Sequence, residues 1–128
     1  MKIDKFEDLE IWQEAREICR FVFKLTSVGS FNKDYKFKDQ IRSSSGSIMD
    51  NIAEGFDRDG NKEFTQFLSI AKGSCAETRS QAYRALDFNY INQAQFDELL
   101  VRTEKLLNKI GSLIQYLKKS DFKGTKFK

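Results

Sequence analysis

Apolar residues recur every third or fourth position along most of this chain. Ile11, Ala15, Ile18, Val22 and Leu25 follow that spacing, and Trp12, Cys19 and Phe23 widen the face they make. The pattern predicts an amphipathic helix from about Asp8 to Ser27. The stretch VGSFNKD at 28–34 replaces the periodic face with glycine, serine and asparagine and reads as a loop. A second helix is predicted from about Tyr35 to Glu54, on Ile41, Ser45, Ile48 and Ile52. Its middle, SSSGS at Ser43 to Ser47, has poor intrinsic helix propensity. Small side chains there let a neighbouring helix come close, so the helical assignment is kept. A third helix, from about Asn61 to Asn89, carries Phe64, Phe67, Leu68, Ala71, Cys75, Thr78, Ala82, Ala85 and Leu86. A fourth, from about Gln93 to Lys118, has a near-heptad stripe of Phe96, Leu99, Leu100, Leu106, Leu107, Ile110, Leu113, Ile114 and Leu117. No strand pattern competes.

Four amphipathic helices with short connections are expected to form an all-α, antiparallel up-down four-helix bundle over residues 1–117. The lysine-rich remainder, 118–128, reads as a flexible tail. At 128 residues the chain is the size of one domain, and the absence of proline lets long helices run unbroken. A composition of 40% hydrophobic and 32% charged residues is that of a soluble globular protein. No apolar run approaches the roughly 20 residues needed to cross a bilayer. MKIDKFEDLE has no signal-peptide core, which makes the cytoplasm the expected location.

The chain has no histidine, which removes the usual general base at neutral pH and the commonest transition-metal ligand. A carboxylate di-metal site of the Glu-x-x-His kind cannot be assembled, and no Walker-type phosphate loop is present. A serine nucleophile among Ser43 to Ser47 would have no histidine to act with. Cys19 and Cys75 stand singly in helical patterns and read as buried thiols. DRDGNKEF at 57–64 begins like a calcium loop, with Asp57, Asp59 and Asn61 at the first, third and fifth positions. Lys62 replaces the glycine of the sixth position and Leu68 the closing carboxylate, so the stretch reads as a turn. In that reading Gly55 ends one helix, Asp59 or Gly60 caps the next, and Glu63 sits in its first turn. No catalytic residue, metal or cofactor is assigned, and the chain is read as a non-enzyme.

Asn51 and Glu54, in NIAEG, fall near the apolar face set by Ile48 and Ile52, where an acid needs a partner. They are read first as a hydrogen-bonded clamp at the end of the second helix. Arg16, Arg20 and Lys24 lie four apart on the first helix, and Arg102, Lys105 and Lys109 share a face of the fourth. Glu10, Glu14 and Glu17 on the first helix and Glu98 and Glu104 on the fourth offset part of this charge, and the chain as a whole is only mildly basic at a net +3. The stripes are either solvated mixed faces or a phosphate-binding surface, to which Lys118, Lys119, Lys123, Lys126, Lys128, Phe122 and Phe127 could add. Phe21, Phe23, Phe31, Phe37, Phe56 and Phe88 exceed what one inner stripe requires and suggest an association surface.

Three segments resemble the bacterial 23S rRNA intervening-sequence protein family. They are DLEIWQEAREIC at 8–19, QIRSSSGSIMDNIAEGF at 40–56 and KEFTQFLSIAKGSCAETRSQAYRA at 62–85. The order and spacing of NIAEG, of EF..FL.IA.GS..E and of the closing NYI match over roughly Phe6 to Leu117. Met49 stands where family members often carry proline. The family includes the accessory variability determinant of diversity-generating retroelements. The resemblance implies an up-down bundle assembling as a ring-like homopentamer and, in the retroelement branch, a basic surface that binds nucleic acid and a reverse transcriptase. It offers no catalytic residue.

The expected function is therefore binding of nucleic acid, RNA first, by a non-catalytic oligomer. Arg16, Arg20, Lys24, Lys72, Arg79, Arg102, Lys105 and Lys109 are the candidate contacts. Asn51, Glu54, Gly55, Phe64, Gly73, Ser74 and Glu77 are assigned to helix ends and packing. The alternative is a protein-interaction scaffold, such as one docking a reverse transcriptase, without nucleic-acid contact. Phosphate binding must weaken steeply with salt, whereas an apolar protein interface should not.

Overall fold

The structure, a computed structural model, describes residues 3–122. A short 3-10 turn at Phe6–Asp8 leads into α1 (Glu10–Thr26). Then come α2 (Gly29–Lys33), α3 (Tyr35–Phe56), α4 (Asn61–Asp87) and α5 (Gln93–Phe122). The four long helices close a square, with α1 packed on α3 and α5, and α4 packed on the same two. Each seam pairs early residues of one helix with late residues of its neighbour. Arg42 of α3 bonds Thr26 of α1, and Ser44 of α3 bonds Gln81 of α4. Asn61 of α4 bonds Leu117 of α5, and Lys109 of α5 bonds Glu10 of α1. All four seams are antiparallel, so this is the up-down bundle that the periodicity predicts. Among the described residues no helix is long and apolar enough to cross a membrane.

The periodic residues form the core. Ile11, Ala15, Ile18, Val22 and Leu25 of α1, Ile41, Ser45, Ile48 and Ile52 of α3, and Leu99, Leu106, Ile110 and Leu117 of α5 are all buried. The helix ends have local causes. At the start of α3 the Asp34 side chain accepts the Phe37 amide at 3.2 Å. Asn92 and Gln95 exchange side-chain and backbone hydrogen bonds at 2.8 and 2.9 Å, a reciprocal cap that starts α5. α4 ends on Asn89 in the left-handed region at φ 60°, where the Tyr90 amide returns to the Ala85 carbonyl and the Asn89 amide to Leu86.

Three expectations need correction. Residues 28–34 are not all loop, because Gly29–Lys33 forms one short helix that drives Phe31 into the core. The fourth helix passes Lys118 and runs to Phe122, which shortens the expected tail; 123–128 lie outside the described residues. Gly55 does not end α3 with a left-handed residue. It lies inside the helix, and a Cβ built on it would meet the Phe67 Cβ at 2.5 Å, so glycine is there for the close approach of α4. Between the two helices Gly60 takes φ 89° at the N-cap of α4, and Glu63 sits in the first turn.

Candidate nucleic-acid interface

Half of the predicted basic contacts are committed inside the molecule. The α5 stripe faces the acids of α1. Lys109 is held by both Glu10 and Glu14, which raises the lysine pKa and lowers that of Glu10, through the hydrogen bonds first and the charges second. Arg102 pairs with Glu98 at 2.9 Å and lies over the Phe21 ring. Lys105 and Arg102 line a cleft of about 200 Å³ with Gln13, Glu14 and Glu17. Arg79 is half-buried and donates to the Leu100 carbonyl at 2.9 Å and the Thr103 hydroxyl at 3.2 Å, fastening α4 to α5. Arg20 lies 3.7 Å from Glu17. Arg16, over the Trp12 ring, and Lys24 remain exposed on α1, and Lys72 is exposed beside the α4–α5 groove.

The packing residues are drawn mostly to the α3–α4 seam. The Ser44 hydroxyl donates to the Gln81 side-chain oxygen at 2.5 Å and lies 2.9 Å from the Thr78 hydroxyl. Ser74 donates to Ser47, and the Asn51 amide reaches the Ser47 hydroxyl and carbonyl, so Asn51 and Ser74 meet on one serine. The small SSSGS side chains therefore bring the helices together, but through hydroxyls rather than apolar contact. The rim opens into a polar groove of about 550 Å³ that includes Asp39, Glu77 and Arg84. Phe64 is buried with its edge to Phe56. Glu54 is not on the apolar face; it is exposed and paired with Arg58 at 3.0 Å, leaving the clamp to Asn51 alone. Gly73 is exposed, with nothing within 4 Å of a Cβ built there. Cys75 is buried, which pushes its thiol pKa up to about 11, while Cys19 is half-buried and raised for the same reason.

A run of cations without ion pairs lies at one end of the bundle. There α1 ends, α2 crosses, α3 begins and α4 ends; we call it the upper end. The stretch 24–42 carries Lys24, Lys33, Lys36, Lys38 and Arg42 against two acids, Asp34 and Asp39. None of those five cations forms an ion pair among the described residues. Asp34 is half-buried and occupied, capping α3 and accepting the Tyr90 hydroxyl at 2.8 Å, which raises the tyrosine pKa. The opposite end inverts this balance. There the segment 50–63, from late α3 through the turn into α4, carries Asp50, Glu54, Asp57, Asp59 and Glu63 against Arg58 and Lys62.

Aromatic rings accompany the upper-end cations. Phe31 stacks on Phe37 at 5.2 Å and on Tyr90 at 5.0 Å, filling the interior. Arg42 lies over Phe23 at 4.3 Å, Lys38 over Tyr35 at 4.9 Å, and Arg84 over Phe37 at 4.4 Å. Of these residues, charge spacing and apolar surplus in the sequence point only to Lys24, Phe23, Phe31 and Phe37. The signal they leave out is that Tyr35, Lys38 and Arg42 are spaced three and four apart, on one face of α3.

Comparison with known proteins agrees with the resemblance in these motifs. The family model of the 23S rRNA-intervening sequence protein matches residues 7–112. The chain belongs to that family. A search of curated proteins finds no match. Among solved structures, a crystal structure of a protein of unknown function from the S23 ribosomal protein family of Bacteroides thetaiotaomicron is similar in fold. It has a TM-score of 0.75 at 22% identity, over 82% of this chain and 95% of that one. Within the family match lie every seam residue described above except Leu117, and the whole upper end.

Proposed function

We propose that this member of the 23S rRNA-intervening sequence family is a non-catalytic cytoplasmic protein that binds nucleic acid, RNA first, through its upper end. The observation that carries this is the set Lys24, Lys33, Lys36, Lys38 and Arg42, gathered by three elements and without ion pairs among the described residues. A phosphate backbone is the polyanion such a cluster suits, and releasing its counterions supplies the affinity. Arg16 and Arg20 extend the same charge down α1. The α5 stripe takes the lesser part, because Lys109 and Arg102 are already answered by Glu10, Glu14 and Glu98. Assembly into a homo-oligomer, the ring-like homopentamer of the resemblance, belongs to this reading. Ile70, Val101 and Tyr116, exposed on α4 and α5 away from the basic cluster, support it.

The test is fluorescence anisotropy with labelled RNA, titrated from low to physiological salt. Binding should weaken steeply as salt rises. Lys38→Glu with Arg42→Glu should lower the affinity and reduce the salt slope by about 1 for each phosphate no longer neutralised. Lys109→Met should change neither. Binding that ignores salt and the Lys38 and Arg42 pair would point instead to the scaffold reading, in which the exposed rings dock a protein such as a reverse transcriptase.

A further inference from the structure

Two of the exposed rings at the upper end have no structural task that explains them. Tyr35 is 70% exposed and Phe23 57% exposed, in a molecule whose interior there is already filled by Phe31, Phe37 and Tyr90. Large apolar side chains at such exposure forgo the burial that ordinarily justifies them. Each nevertheless has a cation fixed against it. The Arg42 guanidinium over Phe23 is itself anchored, donating to the Thr26 hydroxyl at 2.8 Å and the Ser27 hydroxyl at 3.1 Å. The Lys38 ammonium over Tyr35 is likewise tied to the Asn32 side chain at 3.2 Å. Lys38 and Arg42 sit four residues apart on one face of α3, which spaces their backbone positions by roughly 6 Å along the helix axis. With Lys24 beside Phe23 in sequence, the α1–α3 corner is a short row of cations in which each exposed ring has one cation over a face.

From this corner we infer that the upper end takes single-stranded rather than duplex nucleic acid, an inference that rests on the nucleic-acid reading above. Phosphates lie on Lys24, Lys38 and Arg42, and bases stack on the open faces of Phe23 and Tyr35. A cation cluster alone does not distinguish strand state, since both forms carry phosphates. Exposed rings do. In a duplex the base faces are covered by their neighbours, whereas unpaired bases can be splayed onto an aromatic side chain. The arrangement is tolerant of sequence, because every base offers a π-face and neither ring brings a fixed hydrogen-bond pattern to read an edge. The rings also make this corner different from Arg16 and Arg20, which offer charge to either form.

The experiment compares the full chain with its Tyr35→Ala, Tyr35→Phe and Phe23→Ala variants. The probes are labelled oligouridylate, which stays unstructured, and a duplex RNA of equal length, at one fixed salt concentration. Oligouridylate is expected to bind more tightly than the duplex. Tyr35→Ala should weaken oligouridylate binding by about 5- to 100-fold, from the loss of one stacked base. Phe23→Ala should weaken it in the same way. Tyr35→Phe should restore it, and duplex binding should hardly move. Tyr35 is exposed enough that folding should survive, which circular dichroism checks. Equal binding of both probes, or equal losses for both in Tyr35→Ala, would overturn the single-strand inference and leave the nucleic-acid reading standing. A change in sedimented mass in Tyr35→Ala without any change in oligouridylate affinity would overturn it too, by assigning the ring to subunit contact. If neither probe binds even at low salt, the nucleic-acid reading itself fails and this inference with it.

Discussion

At the lower end of the bundle, where α3 turns into α4, Phe64 is buried and Phe56 and Phe67 are half-buried, near the acids Glu54, Asp57, Asp59 and Glu63. At the upper end Phe23 and Tyr35 are exposed among Lys24, Lys33, Lys36, Lys38 and Arg42, and Phe88, half exposed, sets its edge on Phe37 and Tyr90. Both ends are supplied with aromatic rings, so composition does not explain why some rings of the upper end stay exposed. Packing does. At the lower end Gly55 lets α4 approach closely enough for Phe67 to lie against the α3 backbone. At the upper end α2 inserts Phe31, which with Phe37 and Tyr90 occupies the interior and leaves the remaining rings outside. Whether an aromatic residue stabilises the fold or remains available to a ligand is decided by what has already filled the space behind it.

The largest test of this contrast is Phe31→Ala. Removing a buried phenylalanine should cost about 3–5 kcal/mol in chemical denaturation, from reduced burial and the cavity left behind. Tyr35→Ala, at the same end but outside, should stay within about 0.5 kcal/mol. Equal losses for the two would mean that the upper interior is not filled as described. A middle-sized effect is expected at the lower end. Gly55→Ala forces its new methyl onto the Phe67 Cβ and should destabilise by roughly 1–3 kcal/mol, offset in part by a gain of up to about 1 kcal/mol in helix propensity. Gly73→Ala, with open space around it, should be stabilising by about 0.4–1 kcal/mol. If both alanines stabilise, close approach at Gly55 is not what the residue is for.

The smallest effect concerns the Lys109 ion pairs beside the lower end. Glu10 has its pKa lowered in the fold, so its contribution is present above the ordinary glutamate range and lost as pH falls through the depressed value. Lys109 has its pKa raised, so its contribution is present below the ordinary lysine range and lost as pH rises through the higher value. The melting temperature of native protein minus that of Lys109→Met should therefore be largest between those ranges and shrink on either side. A difference that stays flat from acid to alkali would show that the lysine stem, not its charge, makes the contribution.

Much of the fold was legible because helix periodicity is a local property. The stripe of α1 buries at Ile11, Ala15, Ile18, Val22 and Leu25 as its spacing predicts. The serines of α3 sit at the close seam they were expected to permit, with hydroxyl pairing that apolar spacing does not reveal. The short α2 escaped because five residues are too few to display a period, and VGSFNKD has the composition of a turn. Glu54 was placed near the core because it neighbours Ile52 in the helical pattern, yet it turns outward to Arg58. The candidate interface was legible only in part. Lys24 and the α1 stripe show themselves as three cations at four-residue spacing, whereas on α3 only Lys38 and Arg42 share that spacing and the position a turn before them is Tyr35.

By itself the sequence determined the four long helices, the apolar stripe of each, and the limits that an absence of histidine sets on chemistry, because these depend on residue type and near neighbours. Arg20, Arg58 and Arg102 pair with acids three or four residues away in their own helices, but only the tertiary structure decided the partners of Lys109 and Arg79. Lys109 is answered by glutamates 99 and 95 residues away, and Arg79 by a carbonyl 21 residues on. Such pairs form when antiparallel helices set distant residues side by side, and the charge left at the upper end follows from them.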